Sequence, residues 1–279
     1  MYDCIIIGAG PAGVSSAIYL KRAGFNILVV EKKEVGGLVK NAFRIENYLT
    51  YKSITGYKIA VLIKKQLSYN KVNVVIDEIN EVAYNKSYVL KSDNNCYYTK
   101  CVLIATGTKP KMLDSQLFSS SSVIDKIYYH ITDIPDNCRE KHIAVIGSGD
   151  VAFDYALSLK ELGNNVVILA RNKPKCIEIL HRKVLENNIG IEENCGVKKI
   201  SNIKDKLLLY TKDKEFKVDY LLVAIGRERN MISLESFDPK SCFPIGDLSN
   251  IDYRQISIAT GDALKKSMEV EKYLINLKG

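Results

Sequence analysis

The chain has 279 residues, of which 47% are hydrophobic and 26% charged, so it has enough apolar residues for packed cores and is not disordered. Its 40 lysines and arginines exceed its 32 aspartates and glutamates, and the net charge of +8 favours an acidic partner, either a phosphate-rich cofactor or an acidic protein. The basic residues are scattered rather than grouped in runs, so we expect no nucleic-acid binding.

The chain begins with an apolar strand, a glycine-rich turn, an amphipathic helix and a second apolar strand, "CIIIGAGPAGVSSAIYLKRAGFNILVVEK". The turn reads Gly8-x-Gly10-x-x-Gly13. Because a strand precedes it and a helix follows it, this pattern predicts a turn that holds the pyrophosphate of a dinucleotide. Glu31 follows the second strand, eighteen residues after Gly13, where it can accept hydrogen bonds from a ribose diol.

The same plan recurs at Ile143, "IAVIGSGDVAFDYALSLKELGNNVVILARN", where the turn reads Gly147-x-Gly149-x-x-Ala152. The acidic residue is missing from this copy, since Ala170 stands in its place and Arg171 follows. A carboxylate would repel a ribose 2′-phosphate, whereas a guanidinium can bind it. The second copy is therefore expected to prefer NADP over NAD, with help from Asn172, Lys173 and Lys175.

Each copy closes with a further strand and turn, at 101–110 and 220–229, and the tail adds a short strand, Gly246-Asp247 and a helix from about Ile256. We therefore predict an α/β fold with two Rossmann-like dinucleotide-binding domains. The second, at 115–228, is inserted in a discontinuous first domain at 1–110 and 232–279.

Several stretches occur in the order found in low-molecular-weight thioredoxin reductases: "GAGPAG", "GGLVKNAFRIENY", "EINEV", "LIATGTKP", "IGSGDVAFDYALSL", "LLVAIGRERN" and "IGDLSNIDYRQISIATGDA". The chain thus resembles this family, whose plan is shared by thioredoxin-reductase-like ferredoxin–NADP reductases. The resemblance implies FAD in the first domain, NADP(H) in the second with NAD(H) possible, and a homodimer.

The resemblance also implies the binding residues. Those for FAD are Gly8, Gly10, Pro11, Ala12, Gly13, Glu31, Lys32, Gly37, Leu38, Asn47, Ile79, Thr106, Gly107, Gly246, Asp247, Gln255 and Ile256. Those for NADP are Gly147, Gly149, Asp150, Val151, Arg171, Asn172, Ile225 and Gly226. No catalytic side chain is expected, because hydride transfer between nicotinamide and flavin mainly needs the two cofactors to be positioned.

The chain departs from the thioredoxin reductases at their redox-active Cys-x-x-Cys. Counting back from Gly147, those cysteines fall on His130 and Asp133, and no pair among the seven cysteines has this spacing. Histidine and aspartate cannot carry out thiol–disulfide exchange, so we expect no classical thioredoxin reduction. His130 and Asp133 are open to two interpretations, as an entry segment between domains or as neighbours of the flavin. No metal site is expected.

The leading hypothesis is an FAD-dependent NAD(P)H oxidoreductase of the ferredoxin–NADP reductase type, with an acidic ferredoxin or flavodoxin as acceptor. The alternatives are a thioredoxin-reductase relative that uses another disulfide or a small acceptor, an NAD(P)H oxidase, and a flavin-holding module without turnover. With no secretory pattern and no apolar run of about eighteen residues, we expect a cytoplasmic protein without a membrane segment.

Overall fold

A computed structural model describes residues 1–135 and 137–277, and the chain divides into two compact units. Unit 1 comprises Met1–Lys40, Ile45–Lys109 and Glu228–Gly279, and unit 2 comprises Asn41–Arg44 and Pro110–Arg227. The sequence predicts residues 41–44 in the first domain, whereas the structure packs them with unit 2. Residues 278 and 279, the end of the last sequence-based segment, lie outside the described residues.

Eighteen strands lie within the described residues: β1 (Tyr2–Ile7), β2 (Ile27–Glu31), β3 (Val74–Ile76), β4 (Glu81–Asn85), β5 (Ser87–Lys91), β6 (Cys96–Ile104), β7 (Thr108–Pro110), β8 (Ile127–Tyr128), β9 (His142–Ile146), β10 (Asn165–Leu169), β11 (Gly190–Glu192), β12 (Lys199–Ile203), β13 (Lys206–Tyr210), β14 (Glu215–Val218), β15 (Tyr220–Val223), β16 (Arg227–Arg229), β17 (Ser233–Leu234) and β18 (Cys242–Pro244). The α-helices in the same part of the chain are α1 (Pro11–Arg22), α2 (Gly56–Tyr69), α3 (Asp150–Glu161), α4 (Glu178–Glu186) and α5 (Ile256–Asn276).

Unit 1 is built on an eight-stranded sheet whose centre is parallel, in the order β18-β6-β1-β2-β3. Strand β6 has two different neighbours on one side. Its first half pairs antiparallel with β5 from Cys96 to Thr99, and its second half pairs parallel with β18 from Val102 to Ile104. The buried central strands are continuous apolar runs, as expected for a parallel sheet covered on both faces.

Unit 2 has a five-stranded parallel sheet in the order β11-β10-β9-β15-β8, which repeats the order at the centre of unit 1. Strand for strand, β9 corresponds to β1, β10 to β2 and β15 to β6. The fifth strand differs in origin, because β18 follows every other strand of the unit 1 sheet in the chain whereas β8 precedes β9. A separate three-stranded antiparallel sheet, β12-β13-β14, completes unit 2, and β7 pairs with β16 in a two-stranded sheet.

The two helices that follow the glycine-rich turns have the same length and the same ending. Both α1 and α3 have 12 residues. In each, a glycine with positive φ follows the C-cap residue, Gly24 at 87° and Gly163 at 86°. The N–H of the residue after that glycine donates back into the last turn of the helix. Glycine adopts this left-handed conformation without steric cost, so it stops the helix and turns the chain into the next strand.

Helix α1 lies close to α5 because the residues between them are small. Ala17, Ala263 and Ser267 are fully buried, and the hydroxyl of Ser16 donates to the carbonyl oxygen of Ala263 at 3.3 Å. Small side chains allow two helix backbones to approach closely. Helix α5 is thereby fixed against α1, the helix that follows the first glycine-rich turn.

Residues 41–44 join unit 2 because a half-buried carboxylate in α3 holds their backbone. Asp154 accepts a hydrogen bond from the backbone N–H of Phe43 at 3.0 Å, and the N–H of Arg44 also contributes. Phe43 packs against the core of unit 2, and Arg44 forms an ion pair with Glu161 at 3.6 Å. Burial raises the pKa of Asp154 to about 6, although the two backbone N–H groups and Lys183 act in the opposite direction.

We expect Asp154→Asn to change the pH dependence of stability. With a folded-state pKa near 6, above the unfolded value of about 3.9, the stabilisation from protonated Asp154 is full below the unfolded pKa and lost as pH rises through 6. A shift of this size corresponds to ~3 kcal/mol. Asparagine keeps an acceptor without the charge, so the variant should gain in melting temperature relative to wild type between pH 5 and pH 7.5.

Thermal unfolding of the cofactor-loaded protein across this pH range provides the measurement. Glu161→Gln, which removes an exposed carboxylate from the same helix, is the matched control and should give a difference from wild type that is independent of pH. A constant difference for Asp154→Asn as well would contradict the buried-charge explanation.

Candidate dinucleotide-binding sites

The first glycine-rich turn contains two glycines that the protein itself requires. Gly8 has a φ of 105°, and a Cβ there would lie 2.5 Å from the carbonyl oxygen of Ala105. A Cβ on Gly13 would lie 1.9 Å from the carbonyl oxygen of Gly8. Both distances are too short for any side chain, so these two glycines are needed for the strand–turn–helix packing alone.

Gly10 is different, because nothing in the protein forbids a side chain there. Its φ of −74° is ordinary, and the nearest heavy atom to a Cβ would be the Cα of Gly37 at 3.9 Å. The space beside Gly10, at the start of α1, is open. The N–H groups in the first turn of a helix have no partner within the helix, so this open space suits a phosphate group.

Glu31 lies at the end of β2, next to this turn. One carboxylate oxygen accepts from the N–H of Ala9 at 2.6 Å and the other accepts from the N–H of Lys33 at 3.0 Å. The carboxylate is therefore fixed in direction, and each oxygen keeps a further lone pair for a ribose hydroxyl. The adjacent Lys32 is on the surface and forms an ion pair with Glu78.

Two more predicted segments meet the start of α1. The N–H of Gly36 donates to the carbonyl oxygen of Ala9 at 2.9 Å, and a Cβ on Gly37 would lie 2.9 Å from the Cα of Gly10. A Cβ on Gly246 would lie 2.6 Å from the Cβ of Ala12. Gly37 and Gly246 both have positive φ, at 61° and 67°. The structure thus brings three separate glycine turns of the sequence to one point.

Two residues that support this site escaped the sequence analysis. Asp262, in α5, accepts from the N–H of Gly246 at 2.8 Å and from the hydroxyl of Ser249 at 2.7 Å. The backbone N–H of Asn230 donates to the carbonyl oxygen of Gly107 at 3.0 Å. The backbone carbonyl oxygen of Asn230 accepts from the hydroxyl of Thr106 at 2.6 Å. Asp262 was recognisable only as the Asp in "IATGDA", since its partners lie more than a dozen residues away.

The remaining predicted FAD residues fall at different depths in unit 1. Asn47 and Gln255 are brought together, with the amide of Asn47 donating to the side-chain oxygen of Gln255 at 3.1 Å. Ile79 is buried in a hydrophobic core cluster of unit 1. Leu38 lies in the short 3-10 helix Gly37–Asn41, Asp247 lies in another at Gly246–Leu248, and Pro11 and Ile256 are the first residues of α1 and α5.

The second glycine-rich turn, in unit 2, is built like the first. A Cβ on Gly147 would lie 2.5 Å from the carbonyl oxygen of Ala224, just as one on Gly8 would meet Ala105. A Cβ on Gly149 would meet nothing within 4 Å, and its φ of −101° suits any residue. The space beside Gly149 is open as it is beside Gly10. Val151 is 41% exposed in the first turn of α3, while Ile225 and Gly226 follow the end of β15.

A basic loop, residues 171–177, lies against this second turn. The N–H of Lys175 donates to the carbonyl oxygen of Ser148 at 2.6 Å, and the N–H of Ile177 donates to the carboxylate of Asp150 at 2.9 Å. Arg171, Asn172 and Lys173 are exposed on the loop. Unit 2 thus has a basic loop hydrogen-bonded to its glycine-rich turn, where unit 1 has a carboxylate.

His130 precedes a short 3-10 helix of unit 2, Ile131–Asp133, and Asp133 is the last residue of that helix. His130 Nδ1 lies 3.4 Å from the side-chain nitrogen of Asn41, and the hydroxyl of Thr132 donates to the side-chain oxygen of Asn41 at 2.8 Å. The segment is therefore tied to residues 41–44. Asp133 lies on the surface near Tyr155, whose pKa burial raises to about 12.

The cysteines lie mostly in the two cores, and no disulfide joins any of them within the described residues. Five are buried: Cys4, Cys101, Cys138, Cys195 and Cys242. Burial raises the pKa of each of these thiols, to about 12 for Cys101 and Cys242, and it also raises the pKa of the half-buried Cys176. A raised pKa suppresses the thiolate, which is the nucleophilic form.

Two negative findings apply to the part of the chain that the structure describes. No group of three or more His, Cys, Asp or Glu side chains in it is placed to hold a metal ion. No helix among residues 1–135 and 137–277 is both long and apolar enough to cross a membrane.

Comparisons with known proteins agree with this architecture. A thioredoxin reductase of Ureaplasma parvum is 28% identical over 98% of this chain and 97% of its own length. A 34.2 kDa protein in the rubredoxin operon of Clostridium pasteurianum is 26% identical over 98% of this chain and 97% of its own length.

Among solved structures, thioredoxin reductase from T. acidophilum has a TM-score of 0.89 at 24% identity, covering 98% of this chain and 99% of its own. The bacillithiol disulfide reductase of Staphylococcus aureus has a TM-score of 0.78 at 17% identity, covering 100% and 99%. At these identities the likeness shows the fold, which is the predicted α/β fold with two Rossmann-like domains.

The family model described as pyridine nucleotide-disulphide oxidoreductase matches residues 2–240, which is most of the chain. Its match spans both glycine-rich turns and the strands that close them. The chain therefore belongs to the pyridine nucleotide-disulphide oxidoreductase family, a class of FAD-dependent oxidoreductases.

Proposed function

We propose that the chain is an NADPH-dependent flavoenzyme of the ferredoxin–NADP reductase type, which passes electrons from FAD to a carrier outside the chain. One observation carries the proposal. Two glycine-rich turns of the same build each leave open space at the middle glycine, in a chain whose sequence has no Cys-x-x-Cys. The chain thus offers a place for each of two dinucleotides and no local dithiol to receive the electrons.

The residues of unit 1 fit FAD. The open space beside Gly10 and the free N–H groups at the start of α1 suit the pyrophosphate, and the fixed carboxylate of Glu31 suits the adenosine ribose. Asp262 holds the turn at Gly246, so Asp247 is presented from a fixed backbone. Bound FAD would supply the redox chemistry, because it accepts a hydride from a nicotinamide and passes the electrons on.

The residues of unit 2 fit NADP(H) better than NAD(H). The end of β10 has no acidic residue, and Arg171 follows Ala170 there. The basic loop beside Gly149 can meet a 2′-phosphate, and a guanidinium binds phosphate through two parallel hydrogen bonds. The same loop is compatible with slower use of NADH.

A second candidate, reduction of an external disulfide or another small acceptor, is favoured by the names of the relatives, which include thioredoxin and bacillithiol disulfide reductases. The thiols of this chain argue against a covalent disulfide step. Five are buried, and burial raises the pKa of six of the seven. Cys138, closest in sequence to the expected redox position, is buried under the side chain of Asn164.

For partners, we propose an acidic electron carrier such as ferredoxin or flavodoxin, and a homodimer. The net charge of +8 supports the first, since opposite charge speeds encounter with an acidic protein. The second is supported by exposed apolar side chains on α2 and α5, among them Tyr57, Leu264 and Met268. Such side chains mark an interface where they form a contiguous apolar patch.

The two middle glycines provide a matched test of the cofactor assignment. Neither Gly10→Ala nor Gly149→Ala creates a conflict within the protein, so both variants should fold. One methylene in a binding pocket changes affinity by about 10- to 200-fold, and we expect a change of this size where the added methyl group meets a phosphate. We expect Gly10→Ala to lower the affinity for FAD by this factor. Gly149→Ala should keep its FAD but bind NADPH more weakly.

Flavin content by absorbance and NADPH affinity by titration measure the two effects, and circular dichroism checks the fold. Gly13→Ala is the contrasting variant, since its Cβ would collide with the carbonyl oxygen of Gly8 and should disturb the turn itself. Full FAD content in Gly10→Ala would contradict the placement of FAD at this turn.

The acceptor is tested by rapid mixing under anaerobic conditions. NADPH should bleach the flavin, and added ferredoxin or flavodoxin should restore its absorbance. The rate should fall as salt rises, because screening weakens attraction to an acidic carrier. If NADPH bleaches the flavin but neither carrier reoxidises it, the ferredoxin–NADP reductase assignment is wrong.

The other functions give distinct results in the same assays. Disulfide reduction that disappears in Cys138→Ser would establish the second candidate. Substantial peroxide production without an added carrier would identify an NAD(P)H oxidase. A flavin that NADPH does not bleach would indicate a binding module without turnover.

A further inference from the structure

The basic loop of unit 2 is held against the glycine-rich turn by two hydrogen bonds, one to a backbone carbonyl group and one to a side chain. Residues 171–177 read Arg-Asn-Lys-Pro-Lys-Cys-Ile, with three positive charges and no negative one. The loop follows β10 and ends at Ile177, the residue before α4. Its N–H groups at Lys175 and Ile177 reach Ser148 and Asp150 at 2.6 and 2.9 Å.

Asp150 is the side-chain half of this connection. It is the first residue of α3, and its carboxylate accepts from the N–H of Ile177, the residue that caps the start of α4. One carboxylate therefore joins the beginnings of two helices. Without Asp150, the C-terminal half of the loop would keep only the backbone contact at Ser148.

The other end of the loop is held by packing. The Cγ of Arg171 would lie 3.5 Å from a Cβ on Gly196, so the stem of Arg171 runs over a position that has no side chain. The three basic side chains at 171, 173 and 175 are thus carried on a segment fixed at both ends. How far these side chains extend toward the space beside Gly149 depends on how the loop is held.

We propose that Asp150 is a positioning residue, which holds the 171–177 loop so that its basic side chains meet the ribose 2′-phosphate and thereby sets the preference for NADPH over NADH. The inference rests on the proposed NADP(H) site of unit 2. It revises the role implied by the resemblance, in which Asp150 carries cofactor phosphates. A carboxylate repels phosphate, and this one is already engaged by Ile177.

The test compares binding of adenosine 2′,5′-bisphosphate and adenosine 5′-monophosphate to the FAD-loaded protein by calorimetry. These probes differ in the 2′-phosphate and do not involve flavin turnover. In Asp150→Ala we expect the preference for the bisphosphate to fall by about tenfold, the effect of losing one hydrogen bond to a charged group. Asp150→Asn keeps an acceptor for the N–H of Ile177 and should retain most of the preference.

A second variant breaks the same hydrogen bond from the other side. Ile177 has a φ of −63° and is exposed, so proline fits its backbone while removing the donor. Ile177→Pro should lower the preference as much as Asp150→Ala, and the double variant should lower it no further. Ile177→Ala, which keeps the N–H, is the matched control and should behave like wild type.

The outcomes separate the two proposals. If the wild-type protein binds both probes equally, the NADP(H) assignment fails and the inference fails with it. If the wild type prefers the bisphosphate but Asp150→Ala and Ile177→Pro keep that preference, or weaken both probes alike, the positioning role is wrong and the NADP(H) site stands. Tighter binding of the bisphosphate to Asp150→Ala would mean that the carboxylate only repels phosphate.

Discussion

The contact between a glycine-rich turn and the carbonyl group of the residue just after the neighbouring strand is the constraint on which both units depend. In unit 1 the carbonyl oxygen of Ala105 would lie 2.5 Å from a Cβ on Gly8, and in unit 2 that of Ala224 would lie 2.5 Å from one on Gly147. No side chain fits in either place. The turn can therefore cross the end of the sheet at backbone distance, which directs the first N–H groups of the following helix to the carboxyl ends of the strands.

On this shared scaffold the two units differ in what surrounds the turn. Unit 1 adds the turns at Gly37 and Gly246, both in contact with the start of α1, and the carboxylate of Glu31. Unit 2 adds a single basic loop, held by Asp150. The helix start of unit 2 also accommodates Ala152 where unit 1 has Gly13, at which a Cβ would lie 1.9 Å from the carbonyl oxygen of Gly8. Differences of charge around similar glycine-rich turns thus separate the two expected cofactors.

The sequence was sufficient for features that depend on neighbouring residues. The strand–turn–helix units, the loss of the acid at Ala170 and the start of α5 at Ile256 all follow from short-range patterns. Features that join distant parts of the chain could not be predicted. Asp262 bonds back to Gly246, and Asp154 draws residues 41–44 into unit 2 across more than a hundred positions. Such hydrogen bonds leave no periodicity, so they become visible only when the backbone is placed.

The origin of the fifth strand in each sheet has a consequence for the order in which the protein can fold during synthesis. In unit 2, β8 precedes β9, so every strand of its parallel sheet has been made once Val223 leaves the ribosome. In unit 1, β18 and α5 follow all of unit 2, yet β18 pairs with β6 and α5 packs on α1. The first unit to begin is thus the last to be completed. The face of α1 that α5 covers therefore stays uncovered by it while the whole of unit 2 is translated.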